Sequence, residues 1–144
     1  MIAEFAKISP DAEGQPKRPA RTTVLIVEDD AVFRDLLGMH LSAVGYKVLL
    51  AEDAVVGGRM LLASRPDLVL LDILLPYLGG LELLAAMRQD PNVARTPVVC
   101  LTSMRDEATY AKAMELGAAA FLTKPVRGEE LLATLAMVLK TAHP

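Results

Sequence analysis

The stretch of sequence that decides the fold is PDLVLLD at residues 66–72, a run of leucine and valine that ends at Asp72. Three other short aliphatic or β-branched runs also end at polar residues. The four runs and their polar residues are 23–27 with Glu28 and Asp29, 67–71 with Asp72, 97–101 with Thr102, and 119–123 with Lys124. If the runs are parallel strands, these side chains meet at the carboxyl edge of one sheet, where open α/β sheets bind ligands.

The segments between these runs have the spacing of helices and of one further strand. Apolar residues recur every three or four positions after Asp30, which predicts a first helix over residues 31–44. Gly45 follows as the residue that stops this helix. We expect the second strand at residues 46–51 and four more helices at about 53–65, 81–88, 105–116 and 127–140. The prediction is a flavodoxin-like α/β fold: a doubly wound, five-stranded parallel sheet of order 2-1-3-4-5 with five helices.

Length and composition favour one folded domain. The chain has 144 residues and a net charge of −3, and its acidic body argues against nucleic acid as the main ligand. No apolar run approaches the roughly 20 residues of a membrane helix, no secretory signal is recognisable, and Cys100 has no second cysteine to pair with. We therefore expect a cytoplasmic protein with a flexible N-terminal extension at residues 1–21, rich in proline and mixed charges, and a domain at residues 22–142.

The predicted strand order places acidic side chains next to one another. Because the first and third strands are neighbours, Glu28, Asp29 and Asp72 should share one crevice. Thr102 and Lys124 follow on the next two strand ends. Clustered carboxylates raise one another's pKa unless a cation offsets them, and a hard divalent ion such as Mg²⁺ suits oxygen ligands. A carboxylate such as Asp72 can then act as a nucleophile and form an aspartyl phosphate.

Four sequence motifs carry a family resemblance. They are LIVEDD at residues 25–30, PDLVLLDILLP followed by GG within residues 66–80, VVCLTS at 98–103 and FLTKP at 121–125. In this order they resemble the receiver domain of two-component response regulators, of the stand-alone, single-domain type, over roughly residues 22–142. The resemblance implies a signalling switch that works by phosphorylation.

The resemblance also implies roles for individual residues. Asp72 is the implied phosphoacceptor, and Asp29, Asp72 and the backbone carbonyl of Leu74 are the implied metal ligands. Glu28 would contact the metal through water. Thr102 would be the hydroxyl switch, Lys124 would bind the phosphate, and Phe121 would be the aromatic switch. The resemblance further implies bound Mg²⁺ and a cis bond between Lys124 and Pro125. The bulky side chains of Leu74 and Met104 flank the approach of hydrolytic water, which predicts slow dephosphorylation. Gly79 stands where the family often has an acid, so we expect a more mobile loop there.

Partners follow from the same resemblance. A histidine kinase or a histidine phosphotransfer protein would donate the phosphoryl group. A downstream effector protein would bind the surface made by the fourth helix, fifth strand and fifth helix, which is rich in alanine and methionine. That surface could also form a homodimer, or its small residues could simply be good helix formers. We expect no direct DNA binding, no membrane association and no enzymatic turnover of an external substrate.

Two alternative functions fit the same fold. One is a receiver-like scaffold that is never phosphorylated, which the complete set of site residues disfavours. The other is a small flavin- or nucleotide-binding domain. That function would favour a glycine- or serine-rich loop after the first strand, whereas this chain has three consecutive acids at residues 28–30.

Overall fold

Five strands and five helices alternate along the part of the chain that the computed structural model describes, residues 22–76, 78–103 and 106–142. They are β1 (Thr23–Val27), α1 (Ala31–Ala43), β2 (Lys47–Ala51), α2 (Ala54–Ser64), β3 (Leu68–Asp72), α3 (Gly80–Gln89), β4 (Val98–Thr102), α4 (Glu107–Glu115), β5 (Ala120–Thr123) and α5 (Gly128–Ala142). The strands form one sheet of order β2-β1-β3-β4-β5, which confirms the predicted flavodoxin-like topology. The N-terminal extension expected at residues 1–21 lies outside the described residues. Each described helix is too short or too polar to cross a membrane.

Parallel pairing brings the carboxyl ends of the strands to one edge of the sheet. Val27, the last residue of β1, pairs with Ala51 on β2 and with Leu71 on β3. Asp72, the last residue of β3, pairs with Leu101 on β4. Because all four strand pairs are parallel, the polar residues at these ends gather at the same edge.

Both faces of the sheet are buried by helices. One face packs under α2, α3 and α4, and its buried strand residues are Leu25, Val27, Ala51, Val69, Leu71, Val98 and Cys100. The other packs under α1 and α5, and its buried strand residues are Val24, Ile26, Leu68, Leu70, Val99, Leu101 and Leu122. Strands buried on both faces have continuous apolar sequences instead of alternating ones, which is the pattern that residues 68–71 display.

Aspartate side chains cap three of the helices. Asp30 accepts hydrogen bonds from the backbone N–H groups of Val32 and Phe33, at 3.0 and 3.1 Å. Asp53 and Asp106 cap α2 and α4 in the same way. The first two caps confirm the predicted helix starts, and α4 begins at residue 107, later than the predicted 105. Each of these caps follows a strand end, so the N-termini of these helices lie at the edge where the acids collect.

Gly57 has a packing role that the sequence did not indicate. Each of the two glycines at residues 57 and 58 costs roughly 1 kcal/mol relative to alanine in a helix. In the fold, a Cβ atom at position 57 would lie only 2.9 Å from a methyl carbon of Val27. The missing side chain therefore allows α2 to pack closely on β1.

Candidate functional site

The loop after β1 supplies two acids in different environments. Glu28 is 1% exposed, and its Oε2 accepts a hydrogen bond from the backbone N–H of Asp30 at 3.0 Å. Arg34, near the start of α1, donates from Nη1 to the backbone carbonyl of Glu28 at 2.9 Å. Asp29 is exposed. The loop thus holds one carboxylate in the interior and presents the next to solvent.

Asp72 and Lys124 meet at the centre of the site. Asp72 is 4% exposed, and its Oδ2 accepts a hydrogen bond from Nζ of Lys124 at 3.1 Å. The same ammonium donates to Oε1 of Glu28 at 2.9 Å. The backbone N–H of Lys124 donates to the carbonyl of Thr102 at 2.8 Å, and the bond from Lys124 to Pro125 is cis, as predicted. The lysine therefore bridges two carboxylates that come from two different strand ends.

The three acids are close enough together to share a metal ion. One oxygen each from Glu28, Asp29 and Asp72 lies within 4.8 Å of the others. Mg²⁺ prefers hard oxygen ligands and keeps several waters, so an all-carboxylate set with one exposed member suits its chemistry. A single ammonium offsets only part of the negative charge of three carboxylates, which leaves a favourable place for a cation.

Burial and the neighbouring charges change the protonation of these groups. Burial raises the pKa of Glu28 to about 7; the backbone N–H of Asp30 and the ammonium of Lys124 lower it, and the charge of Asp72 raises it. Burial lowers the pKa of Lys124, but its hydrogen bonds to Glu28 and Asp72 outweigh burial, so the pKa is raised overall. These shifts favour the charged form of Lys124 and disfavour the ionised form of Glu28, and a bound cation would favour the ionised form of Glu28.

Thr102 and Phe121 lie on the same face of the sheet. Thr102 is completely buried and pairs with Thr123, two residues after Phe121, so strand alternation turns both switch candidates to the face covered by α4. Phe121 is partly buried and packs edge-to-face against Tyr110 of α4, with ring centroids 5.2 Å apart. A movement of Phe121 would therefore change its packing against Tyr110 of α4.

The loop between β3 and α3 depends on two glycines. A Cβ atom at Gly80 would contact the carbonyl oxygen of Asp72 and lie 2.7 Å from Cα of Ile73, so no other residue fits there without a shift of the backbone. The backbone N–H of Gly79 donates to Oε1 of Glu82 at 2.6 Å. The loop in which we expected mobility therefore has a side-chain anchor. Leu74 is 48% exposed beside the site, and Met104 lies outside the described residues.

Sequence comparison places this geometry in a family. Residues 24–136 match the family described as the response regulator receiver domain. The chain belongs to this family. Receiver domains act as phosphorylation-dependent switches with histidine kinase partners and bind Mg²⁺ at an acidic pocket, so the expected general function of the chain is confirmed.

Relatives of the receiver domain include longer proteins. The chain is 34% identical over 122 residues to the phosphate regulon transcriptional regulatory protein PhoB of Pseudomonas aeruginosa. The aligned region covers 85% of this chain and 53% of PhoB. The chain is 35% identical over 121 residues to response regulator MprA of Mycobacterium avium, covering 84% of this chain and 52% of MprA. The chain therefore spans about half the length of the curated relatives it matches.

Solved receiver structures share the fold of this chain over nearly their whole length. Chemotaxis protein CheY4 of Vibrio cholerae has a TM-score of 0.78 at 29% identity, covering 81% of this chain and 98% of that one. A putative response regulator from Chloroflexus aurantiacus has a TM-score of 0.79 at 30% identity, covering 83% and 98%. The two structures agree in assigning this chain a receiver fold.

Two aromatic contacts of the site were not predicted from the sequence. Nζ of Lys124 lies 4.7 Å from the ring centroid of Phe33, and Tyr110 packs against Phe121. A signal for the first contact was present, because Phe33 comes three residues after the Asp30 cap, in the helical turn nearest the crevice. Tyr110 carried no such signal, since its contact depends on how α4 packs on β5.

Proposed function

We propose that Asp72 is the residue that accepts the phosphoryl group, with Thr102, Lys124 and Phe121 as the residues that respond to it. The position of Asp72 Oδ2, at 3.1 Å from Nζ of Lys124 and within the acidic cluster, carries this proposal. An ammonium already held beside the nucleophile can stabilise phosphoryl oxygens with little reorganisation.

The phosphoryl group comes from a histidine kinase or a histidine phosphotransfer protein. A carboxylate oxygen of Asp72 attacks the phosphorus of phosphohistidine, a P–O bond forms while the P–N bond breaks, and the bonding electron pair leaves with the imidazole nitrogen. Lys124 stabilises the negative charge of the transferred group. The chain thus catalyses its own phosphorylation and, with water as the nucleophile, its own dephosphorylation. It has no enzymatic turnover of an external substrate.

Mg²⁺ fits the oxygen-rich side of the site. Asp29, Asp72 and the backbone carbonyl of Leu74 would hold the ion directly, and Glu28 would contact it through a water molecule. When bound, the ion supplies positive charge that offsets the carboxylates and the phosphoryl oxygens. The backbone N–H of Leu74 donates to Oδ1 of Asp72 at 3.0 Å, which holds this loop beside the acid.

Phosphorylation is proposed to alter a surface built from α4, β5 and α5, here called the output surface. The phosphoryl group brings a charge of about −1.5 to −2, which attracts the hydroxyl of Thr102 and the ammonium of Lys124. Phe121 and its neighbour Tyr110 then repack, and a pre-existing equilibrium of α4 shifts. Three apolar side chains of this surface are exposed, Tyr110 by 49%, Met114 by 37% and Met137 by 61%. A downstream effector or a second copy of the chain would bind there.

The receiver unit is assigned to residues 22–142, with residues 1–21 as an extension outside it. We place its action in the cytoplasm, where kinases have access to ATP. Direct contact with DNA or membrane has no part in the proposed function. The activities of the longer relatives are not needed for the phosphoacceptor reaction itself.

Intact mass spectrometry tests the proposed function. The protein is incubated with acetyl phosphate, with and without Mg²⁺, as wild type, Asp72→Asn and Asp35→Asn. Asp35 is an exposed acid on α1 and serves as the matched control. We expect the wild type and Asp35→Asn to gain one phosphoryl group when Mg²⁺ is present, and Asp72→Asn to gain none. Equal labelling of all three variants would contradict the assignment of Asp72.

The added mass, together with a partner-binding assay on the same samples, separates the switch from a scaffold. A receiver-like scaffold would gain no mass from any phosphodonor and would bind its partner equally well as wild type and as Asp72→Asn. A phosphorylation-dependent switch would bind its partner differently after incubation with acetyl phosphate and Mg²⁺. The hydrogen-bonded pair of Asp72 and Lys124 favours the switch.

A further inference from the structure

An aromatic ring covers the lysine of the proposed phosphorylation site. Nζ of Lys124 lies over the ring of Phe33, 4.7 Å from its centroid. The lysine side chain is only 23% exposed, and its ammonium is bonded at 2.9 Å to Glu28 and at 3.1 Å to Asp72. The cation therefore contacts two carboxylates and one aromatic face, and its side chain is largely shielded from solvent.

Several contacts fix the position of this ring. The backbone N–H of Phe33 donates to the carboxylate of Asp30 at 3.1 Å, which anchors the first turn of α1. Arg34, the next residue, donates to the backbone carbonyl of Glu28 at 2.9 Å. The ring of Phe33 is half-buried and packs against the core cluster on the α1 and α5 face of the sheet. The aromatic face is therefore held in the first turn of α1, directly after the loop that carries the buried acid of the site.

We infer that Phe33 is a positioning residue for phosphoryl transfer, which holds the ammonium of Lys124 beside Asp72 through a cation–π interaction. The inference rests on the proposed roles of Asp72 and Lys124. The negative face of an aromatic ring attracts a desolvated cation, and it restricts a lysine stem that is otherwise flexible. With the ammonium held there, a small displacement takes Nζ from Oδ2 of Asp72 to an oxygen of the arriving phosphoryl group.

A series of ring-fluorinated phenylalanines at position 33 tests this inference. One, two or three fluorine atoms weaken the negative face of the ring with little change in volume, and cyclohexylalanine removes the π system altogether. We expect the rate constant for phosphorylation by acetyl phosphate with Mg²⁺ to fall stepwise along the series, by about three- to tenfold in total. Phe33→Tyr retains the aromatic face and should stay within about twofold of the wild type.

A flat fluorination series would overturn the inference. So would a loss confined to cyclohexylalanine, because that result would assign Phe33 a role in packing alone. The contact itself is read from the methylene protons of Lys124 by NMR without any phosphodonor: the ring should move their signals upfield, and cyclohexylalanine should abolish that shift. Unshifted signals in the folded wild type also count against the inference. If the wild type takes up no phosphoryl group at all, the proposed function fails, whereas a labelled wild type with a flat series removes only the role of Phe33.

Discussion

Removal of the buried acid Glu28 should abolish a pH dependence of folding stability. Glu28 is 1% exposed, and burial raises its pKa from 4.5 to about 7. The folded protein consequently binds more protons than the unfolded chain between these two pH values, so the free energy of unfolding should fall as pH rises through this window. Glutamine keeps the size of the side chain and removes its titration, so Glu28→Gln should lack this fall.

The pKa shift sets an upper limit on the effect. A change from 4.5 to about 7 corresponds to about 3–4 kcal/mol at most, since one pKa unit is worth about 1.4 kcal/mol. The contribution is fully present below pH 4.5 and is lost above about pH 7. The pKa of Lys124 is raised from an already high 10.5, so this lysine titrates outside the window.

Urea unfolding between pH 4.5 and 7.5, in buffer free of divalent ions, measures the effect. Glu52→Gln is the control, because Glu52 is an exposed glutamate that follows β2 at the same edge of the sheet. The difference between wild type and Glu28→Gln should change with pH, and the difference between wild type and Glu52→Gln should stay nearly constant. Parallel pH profiles for wild type and Glu28→Gln would refute the buried, proton-binding state of Glu28.

Four further predictions concern metal binding, the backbone, the fold and the phosphate lifetime. Mg²⁺ at ten times its Kd should stabilise the wild type by about 1.4 kcal/mol in thermal melts, and Asp29→Asn much less; equal stabilisation would argue against the assigned ligand. Gly80→Ala should lower the free energy of unfolding in urea by about 2 kcal/mol or more, because its Cβ would lie 2.7 Å from Cα of Ile73. Gly58→Ala should raise it by up to about 1 kcal/mol, because its Cβ would lie 3.8 Å from the nearest side chain. Similar effects at both positions would contradict this reasoning. Arg88→Met should lower the free energy of unfolding in urea by about 2–4 kcal/mol. The guanidinium donates four hydrogen bonds of 2.9–3.1 Å to backbone carbonyls in the loops before β4 and β5. An unchanged free energy of unfolding would exclude a structural role for Arg88. Replacing Leu74 and Met104 together by glutamine should shorten the half-life of the phosphorylated protein, followed by loss of the added mass, and an unchanged half-life would remove the proposed shielding from water.

The sequence was most informative where local rules decide the structure. The four runs became parallel strands because each is a short aliphatic segment bounded by residues that begin or end helices. Boundaries were less predictable, since they depend on pairing. We expected Asp72 directly after the third strand, but it is the last residue of β3 because it pairs with Leu101. The acids still meet, since one residue of difference leaves them at the same edge.

Contacts between distant parts of the chain could not be predicted from the sequence. The resemblance implied a water-mediated metal contact for Glu28, and a direct ion pair of Glu28 with Lys124 at 2.9 Å did not follow from it. Spacing along the chain places Phe33 in the first turn of α1, near the crevice, but its contact with Lys124 depends on how α1 lies against the end of β5. Gly57 likewise has a low helix propensity, and its close approach to Val27 could not be predicted from the sequence.

Chemical localisation of the phosphoryl group tests the central claim most directly. After incubation with acetyl phosphate and Mg²⁺, reduction with borohydride converts an aspartyl phosphate to homoserine, and peptide sequencing by mass spectrometry then identifies the position. We predict homoserine at position 72 in the wild type and at no position in Asp72→Asn. Homoserine at position 29, or a labelled residue outside the acidic cluster, would contradict the account.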